Sequence, residues 1–401
     1  MPSNLQIISI KNLEDAKKEL VKIGVDSRAI EIMAGKAVLF PIKLHSVECA
    51  HANILKQEML ALCGEAAISK EIYSLKNKKT DVLLLGTLKQ YKYLISKLNI
   101  QPFGGLKKLG QDLNEVLENY QKIPPALVCK SKTFSFDKRC YIVGIVNVTP
   151  DSFSDGNKFS RPEIAYEHAL KLIEEGADAI DIGGESTRPG SGKVSVAEEK
   201  NRILPVIKKL SGKIKVPISV DTYKSDVARS ALDEGAEIIN DISGLRFDKK
   251  MPALAAKYNV PVIIMHIKGS PKNMQLNPLY NNLLAEVMDY LKTSIEIAEK
   301  AGIKKEKIII DPGIGFGKTV EHNLELIKKL SRFKILGRPI LIGTSRKSFI
   351  GKILDLDTEN RLEGTIASSV IASIQGANFL RVHDVKSVKR AVKMTEAVLN
   401  Y

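Results

Sequence analysis

From Tyr141 onward, short apolar runs rich in β-branched residues alternate with longer stretches of 3.6-residue hydrophobic period. The runs predict eight strands: Tyr141–Asn147, Ala179–Ile182, Ile218–Asp221, Ile238–Asp241, Val262–His266, Lys307–Asp311, Ile340–Gly343 and Asn378–Val382. The periodic stretches predict helices at Arg161–Glu175, Ala197–Leu210, Lys224–Asp233, Asn281–Ala301, Val320–Leu330, Arg361–Gln375 and Val385–Leu399, with a short one near Met251–Tyr258. Eight strand–helix units in about 260 residues match a TIM (β/α)8 barrel in number and size. The tripeptides GAD, GAE and GAN at Gly176, Gly235 and Gly376 fit helix C-terminal glycines leading into the next strand.

The first 130 residues carry an α/β pattern of their own. Helices are predicted at Leu13–Ile23, Val47–Cys63, Lys89–Leu98 and Lys108–Lys122, and strands near Ala37–Lys43 and Asp81–Leu85. The segment Ile123–Asp137, with Pro124–Pro125 and the polar run SKTFSFDK, reads as connecting chain. The expected organisation is therefore a smaller α/β domain over 1–130, a linker over 131–138 and the barrel over 139–401. No repeat or low-complexity tract interrupts it.

Composition adds one question. The chain of 401 residues has a formal charge of +15, which raises nucleic acid as a partner. The excess is diffuse, with 22 Lys/Arg against 14 Asp/Glu up to residue 140 and 39 against 32 beyond it, and no basic tail or arginine stripe. Pairs such as Lys208–Lys209 and Lys328–Lys329 fall on solvated helix faces, so no nucleic-acid partner is expected, while the positive field suits an anionic phosphate substrate. The cysteines Cys49, Cys63, Cys129 and Cys140 have neither metal-site spacing nor disulfide-scaffold density and are expected as free thiols. The N-terminal segment lacks a signal-peptide pattern and no apolar run approaches the ~20 residues of a membrane span. A cytoplasmic location with no membrane contact is the expectation.

The chemistry lies at the ends of the predicted strands. Strand three ends in Asp221, strand four delivers Asn240, strand six ends in Asp311 and strand seven runs into Ser345–Arg346–Lys347. In a parallel barrel these positions gather at one mouth. Two carboxylates, an amide and an ammonium there suit the edge of a flat nitrogen heterocycle, and an NH–C–NH2 edge pairs best with a carboxylate. The bland alternative is that Asp221 caps the helix opening near Lys224. A second set suits phosphate. Asn147 ends strand one and offers an oxygen to a hard cation such as Mg2+. Thr187 and Arg188 follow strand two, and Arg381 and His383 end strand eight, where barrels often bind phosphate. Two arginines and a histidine would neutralise a diphosphate; alternatively Arg381 pairs with Asp384 or another surface carboxylate and His383 is a core residue. The glycines of DPGIGFGK, Asp311–Lys318, match neither GxGxxG nor a P-loop and read as a backbone turning close to a ligand beside Phe316. In MHIKGSP, Met265 reads as packing under a flat ring rather than as part of a metal site.

These segments together resemble the dihydropteroate synthase family. The resemblance runs in order through NVTPDSFSDG, DIGGESTRPG, PISVDT, INDISG, MHIKGSPKNMQ, DPGIGFGK, GTSRKSFIG, RLEGT and LRVHD, and covers about residues 140–401. It implies a transferase that joins (7,8-dihydropterin-6-yl)methyl diphosphate to 4-aminobenzoate. It further implies a pterin pocket at Asp221, Asn240, Asp311 and Lys347, lined by Met265, Ile242 and Phe316 with Arg381 over the ring. The diphosphate and Mg2+ site falls on Asn147, Thr187, Arg188, Arg381 and His383, and the aminobenzoate pocket on Phe153, Thr187, Pro189, Ser345 and Lys347. A homodimer is also implied. A pterin-dependent methyltransferase domain serving a corrinoid protein is the competing enzyme, opposed by the diphosphate loops; a degenerate partner-binding barrel is opposed by the full set of strand-end polar residues. A larger arylamine in place of 4-aminobenzoate stays open. Residues 1–130 carry no chemical motif, and assembly or docking is their default role.

Overall fold

The computed structural model describes residues 4–74, 78–137, 139–149, 161–186, 190 and 192–400. The chain divides at Glu118/Asn119 into two compact units.

The first unit contains α1 (Leu13–Ile23), α2 (Ser27–Ala37), β1 (Leu39–Glu48), α3 (Cys49–Ala61), β2 (Glu65–Ile68), β3 (Lys79–Thr87), α4 (Leu88–Ile100) and α5 (Leu106–Gln121). Its antiparallel sheet has the order β1-β3-β2. Leu55 and Met59 of α3, Leu84 of β3 and Tyr91, Leu94 and Leu98 of α4 are fully buried between the layers. Thr87 starts α4 through a capping box with Gln90. Helix α2 and strand β2 were not expected from the sequence. The first lacks a strong apolar stripe, and EAAI contains a single β-branched residue.

The second unit opens with a hairpin, β4 (Leu127–Val128) and β5 (Thr133–Phe134), where a linker was expected. Leu127 and Phe134 are fully buried and Phe136 nearly so, and the two phenylalanines pack edge-on against Tyr141 and Phe379. The polar run SKTFSFDK thus hides apolar residues at alternate positions, which is a strand signature. Leu127, Cys129, Phe134 and Phe136 thus plug the bottom of the barrel.

The barrel strands are β6 (Tyr141–Asn147), β7 (Ala179–Gly183), β8 (Ile218–Asp221), β9 (Ile238–Asp241), β10 (Val262–Met265), β11 (Ile308–Asp311), β12 (Leu341–Ile342) and β13 (Phe379–Val382). All pair in parallel in the order β11-β10-β9-β8-β7-β6-β13-β12, and an Ile310–Ile340 bridge brings the two ends together. The helices between and after them are α6 (Arg161–Glu174), α7 (Val196–Leu210), α8 (Ser225–Asp233), α9 (Met251–Tyr258), α10 (Leu283–Lys300), α11 (Val320–Lys328), α12 (Ser348–Leu354), α13 (Leu362–Ile374) and α14 (Val385–Asn400). Only the seven-residue α12 was unexpected, being too short to show a period. Among the described residues no helix is long and apolar enough to cross a membrane, and the four cysteines are free.

Because strand side chains alternate, each strand sends one parity outward to the helices and the other into the barrel. Outward Ile142, Ile180, Val220, Ile239, Ile264, Ile310, Ile342 and Leu380 join the helix layer in one continuous core. Inward positions are apolar at the bottom, with Val143, Ala179, Ile238, Ile263, Ile309, Leu341 and Phe379 packed on the hairpin. One inward step higher β7, β9, β11 and β13 carry Asp181, Asn240, Asp311 and Arg381, while Ile145 and Met265 stay apolar, and that change of layer positions the site. At the bottom, buried Asp178 accepts from Lys132 (2.8 Å), Arg139 (2.6 Å) and Lys389 (2.5 Å), tying the hairpin and α14 to the start of β7.

Candidate active site

The upper inward layer consists of Asp181 on β7, Asp221 on β8, Asn240 on β9, Met265 on β10, Asp311 on β11 and Arg381 on β13. All but Asp181 line a cavity of about 480 Å3 that also meets Asn147, Ile242, Phe316, Ser345, Lys347 and His383. Every expected site residue among the described ones is therefore brought to one chamber. Phe153, Thr187, Arg188 and Pro189 lie outside the described residues.

The centre of the chamber is an ion cluster. Arg381 donates from Nε to Asp181 Oδ2 (2.5 Å) and from Nη2 to Asp221 Oδ2 (2.6 Å), and Asn240 Nδ2 donates to the same Asp181 oxygen (3.0 Å). Two carboxylates share one guanidinium, so burial dominates at Asp221 and raises its pKa despite the ion pair, with Asp181 adding like-charge repulsion. Burial likewise raises Asp311 to about 6, opposed by the Gly313 N–H that donates to its Oδ1 (2.7 Å) and by the charge of Lys347. Lys347 is lowered to about 8, first by burial and then by Arg381. Its Nζ sits 4.3 Å from the centre of the Phe316 ring. Ile242, Met265, Ile267, Met274 and Phe316 form a small apolar cluster beside these charges. The result is a slot with carboxylate oxygens along one edge and apolar faces beside it, which suits a flat, N–H-rich ring.

Around the mouth the expected polar residues have partners of their own. Asp221 does not cap α8; the Ser225 N–H donates instead to Asp248 Oδ2 (2.8 Å). Asp384 does not take Arg381; it holds Arg346 in a two-pronged pair (2.6 and 3.0 Å). Ser345 Oγ lies 3.0 Å from His383 Nδ1. Burial, then the charge of Arg381, lowers His383 to about 3, so in this setting it is neutral and contributes a hydrogen-bonding ring rather than the positive charge expected of it.

Three features were not read from the sequence. Asp181 occupies the middle of a strand, not its end, although its inward parity marks it as a carboxylate inside the barrel. Lys318 and His266, behind the Gly313–Gly317 turn, form a buried pair 2.9 Å apart. Lys224 holds Glu185 and, at 2.6 Å, the buried Glu199, while Tyr223 donates to Glu185 (2.9 Å). This network anchors the start of the loop after β7, and Glu185 lines the cavity.

Chamber and barrel together define a (β/α)8 protein with a slot for a flat, N–H-rich ring at the C-terminal ends of its strands. Residues 143–383 match the family described as pterin binding enzyme. A dihydropteroate synthase of Clostridium beijerinckii is 51% identical over 67% of this chain and 98% of its own length. A crystal structure of the Clostridium difficile dihydropteroate synthase, determined in the presence of pteroic acid, superposes with a TM-score of 0.63 at 48% identity, covering 67% of this chain and all of that one. A probable bifunctional folylpolyglutamate synthase/dihydropteroate synthase of Halobacterium salinarum is 39% identical over 97% of this chain and 46% of its own length, so that similarity extends through the first unit as well. The chain belongs to the dihydropteroate synthases of the pterin-binding enzyme family.

Proposed function

We propose that the chain joins (7,8-dihydropterin-6-yl)methyl diphosphate to 4-aminobenzoate in this chamber, the amine nitrogen bonding to the methylene carbon as the carbon–oxygen bond to diphosphate breaks and the amine gives up a proton. The products are 7,8-dihydropteroate and diphosphate. The observation that carries the reading is the upper inward layer, in which Asp221, Asn240 and Asp311 stand on strands β8, β9 and β11 above an apolar bottom layer.

In this reading Asp311 and Asp221 accept from the pterin's N–H edge, Asn240 contributes an amide, and Met265, Ile242 and Phe316 hold the ring flat. Carboxylates at that edge favour the positive charge that develops on the pterin as the diphosphate departs. Arg381 and Lys347 supply cations, and Ser345 with His383 supplies hydrogen bonds. Phe153, Thr187, Arg188 and Pro189 complete the amine and diphosphate pockets. No covalent enzyme intermediate is involved.

The donor set fits Mg2+. Asn147 brings one neutral oxygen to the cavity, and among the described residues no group of three or more His, Cys, Asp or Glu is gathered as a metal cage. A hard cation that takes most of its ligands from water and phosphate oxygens needs no such cage. Bound beside Asn147, it would neutralise the departing diphosphate. The reading also includes a cytoplasmic homodimer, for which exposed Ile371 and Ile374 on α13 and Met394 and Val398 on α14 offer apolar surface.

The test is turnover. With both substrates and Mg2+, dihydropteroate and diphosphate should appear in equal amounts. Binding of the pterin diphosphate without product would move the reading to a different amine, and no binding would overturn it.

A further inference from the structure

Asp181 is the one member of the ion cluster that does not line the cavity. It is fully buried, its Oδ2 accepts from both Arg381 and Asn240, and its Oδ1 has no hydrogen-bond partner among the described residues. A carboxylate buried inside the barrel is costly unless it is paired, and here the Arg381 guanidinium and the Asn240 amide both meet it. The Arg381 fork is split, with Nε on Asp181 and Nη2 on Asp221. Asp221 is also one of the carboxylates assigned to the pterin's N–H edge. A guanidinium and an NH–C–NH2 edge present the same kind of donors, so ring and arginine compete for one acceptor.

We propose that Asp181 is a positioning residue that retains Arg381 in the chamber while the pterin takes Asp221. The guanidinium pivots about its Nε–Asp181 contact, freeing the Nη2 side from Asp221 and turning its charge toward the ring and the diphosphate. Without Asp181, Arg381 would belong to Asp221 alone, and the pterin would have to displace it outright. Among the described residues, the charges that act most on Asp221 are those of Arg381 from β13, Asp181 from β7, Glu199 from α7 and Lys347 after β12. Removing the Asp181 charge thus takes away a like-charge neighbour and leaves the cation.

This inference rests on the pterin reading of the site, and the test separates the two. Wild type, D181N, R381Q and the double variant D181N/R381Q are compared in turnover and in calorimetric titration with the pterin diphosphate. D181N should bind the pterin diphosphate about 10- to 100-fold more weakly with the KM for 4-aminobenzoate unchanged, because the lost interaction belongs to one substrate. The acid limb of its kcat/KM profile should move to lower pH, because the like-charge neighbour of Asp221 is gone. In the R381Q background the same substitution should change binding by less than about twofold, as expected for residues acting through one another. Pterin affinity and a pH profile like those of the wild type in D181N, or an equal loss in both backgrounds, would overturn the inference while leaving the functional reading intact. Absence of product from the wild type would sink both. Should D181N fail to fold, D181N/R381Q, which removes both charges together, should recover a folded protein. Failure of the double variant too would assign Asp181 to the core and refute the positioning role.

Discussion

Lys318 and His266 sit side by side in a compartment closed to solvent, the lysine Nζ 2.9 Å from the imidazole Nδ1 and 3.1 Å from the Phe316 carbonyl oxygen. Burial lowers both groups, Lys318 to about 7 and His266 to about 2, with each residue's cationic neighbours adding to the effect. The lysine therefore ties down the turn that carries Phe316 without bringing a fixed charge at alkaline pH.

Stability should report this pair. In the unfolded chain a lysine titrates near ~10.4 and a histidine near ~6.5. Both have lower values in the folded state, so the unfolded chain binds more protons across each interval and stability rises with pH there. For Lys318 the interval runs from about 7 upward, and for His266 from about 2 upward. Lys318→Met should reduce the rise on the alkaline side, leaving the part due to Lys347, read as melting temperature against pH; an unchanged slope would contradict the assignment.

Activity should follow a bell. The value of kcat/KM for the pterin substrate reports groups of the free enzyme. It should climb as Asp311 ionises near about 6, with Asp221 also ionising later than an ordinary carboxylate. It should fall as Lys347 loses its proton near about 8. Lys347→Met should remove the alkaline limb and lower the plateau. A profile flat from pH 5 to 9 would be inconsistent with this charge arrangement.

Gly315 has φ +81°, and a side chain there would bring its Cβ 3.2 Å from Lys347 Cδ. Its N–H donates to Asn323 Oδ1 and its carbonyl accepts from Gln275 Nε2, both at 2.7 Å, so the backbone has little freedom to move. Gly315→Ala should cost about 1–2 kcal/mol for the left-handed conformation. It should also push Lys347 and lower kcat/KM roughly tenfold, an amount equivalent to about 1.4 kcal/mol. Full activity with reduced stability would mean that Lys347 repositions freely.

Asp178 answers to the opposite end of the barrel. Burial alone would raise its pKa, but the ion pairs with Lys132 and Lys389 and the Ile142 N–H outweigh burial and lower it. Its stabilising contribution is present above the unfolded carboxylate pKa of about 3.9 and is lost as pH falls through the lower folded value. Asp178→Asn should destabilise by about 3 kcal/mol, the usual scale for removing one partner of a buried ion pair. Turnover at 25 °C should persist, since Asp178 lies at the bottom face; a specific loss of turnover with unchanged melting would contradict that division.

How much of this was legible follows from where each signal lies. The barrel strands were readable because buried parallel strands are continuous β-branched runs, and the site because Asp221, Asn240, Asp311 and Arg381 stand at their ends. Asp181 carries no such signal because it interrupts β7 in the middle, where only the inward parity separates it from its neighbours. The β4–β5 hairpin reads as a linker in the sequence because Phe134 and Phe136 are spaced among serines and lysines. Helix α12 is too short to show a period, and β12 pairs over only two residues, Leu341 and Ile342. The neutrality of His383 was beyond the sequence, since it comes from burial beside Arg381.

The central claim is that a strand-end carboxylate reads the pterin edge. Calorimetric titration of wild type and Asp311→Ala with the dihydropterin diphosphate tests it most directly. Charge-assisted hydrogen bonds of about 1.5–3 kcal/mol each predict that the variant, still folded, loses affinity by tens- to hundreds-fold. Equal affinity in a folded variant would show that the pterin is held elsewhere and would contradict the account.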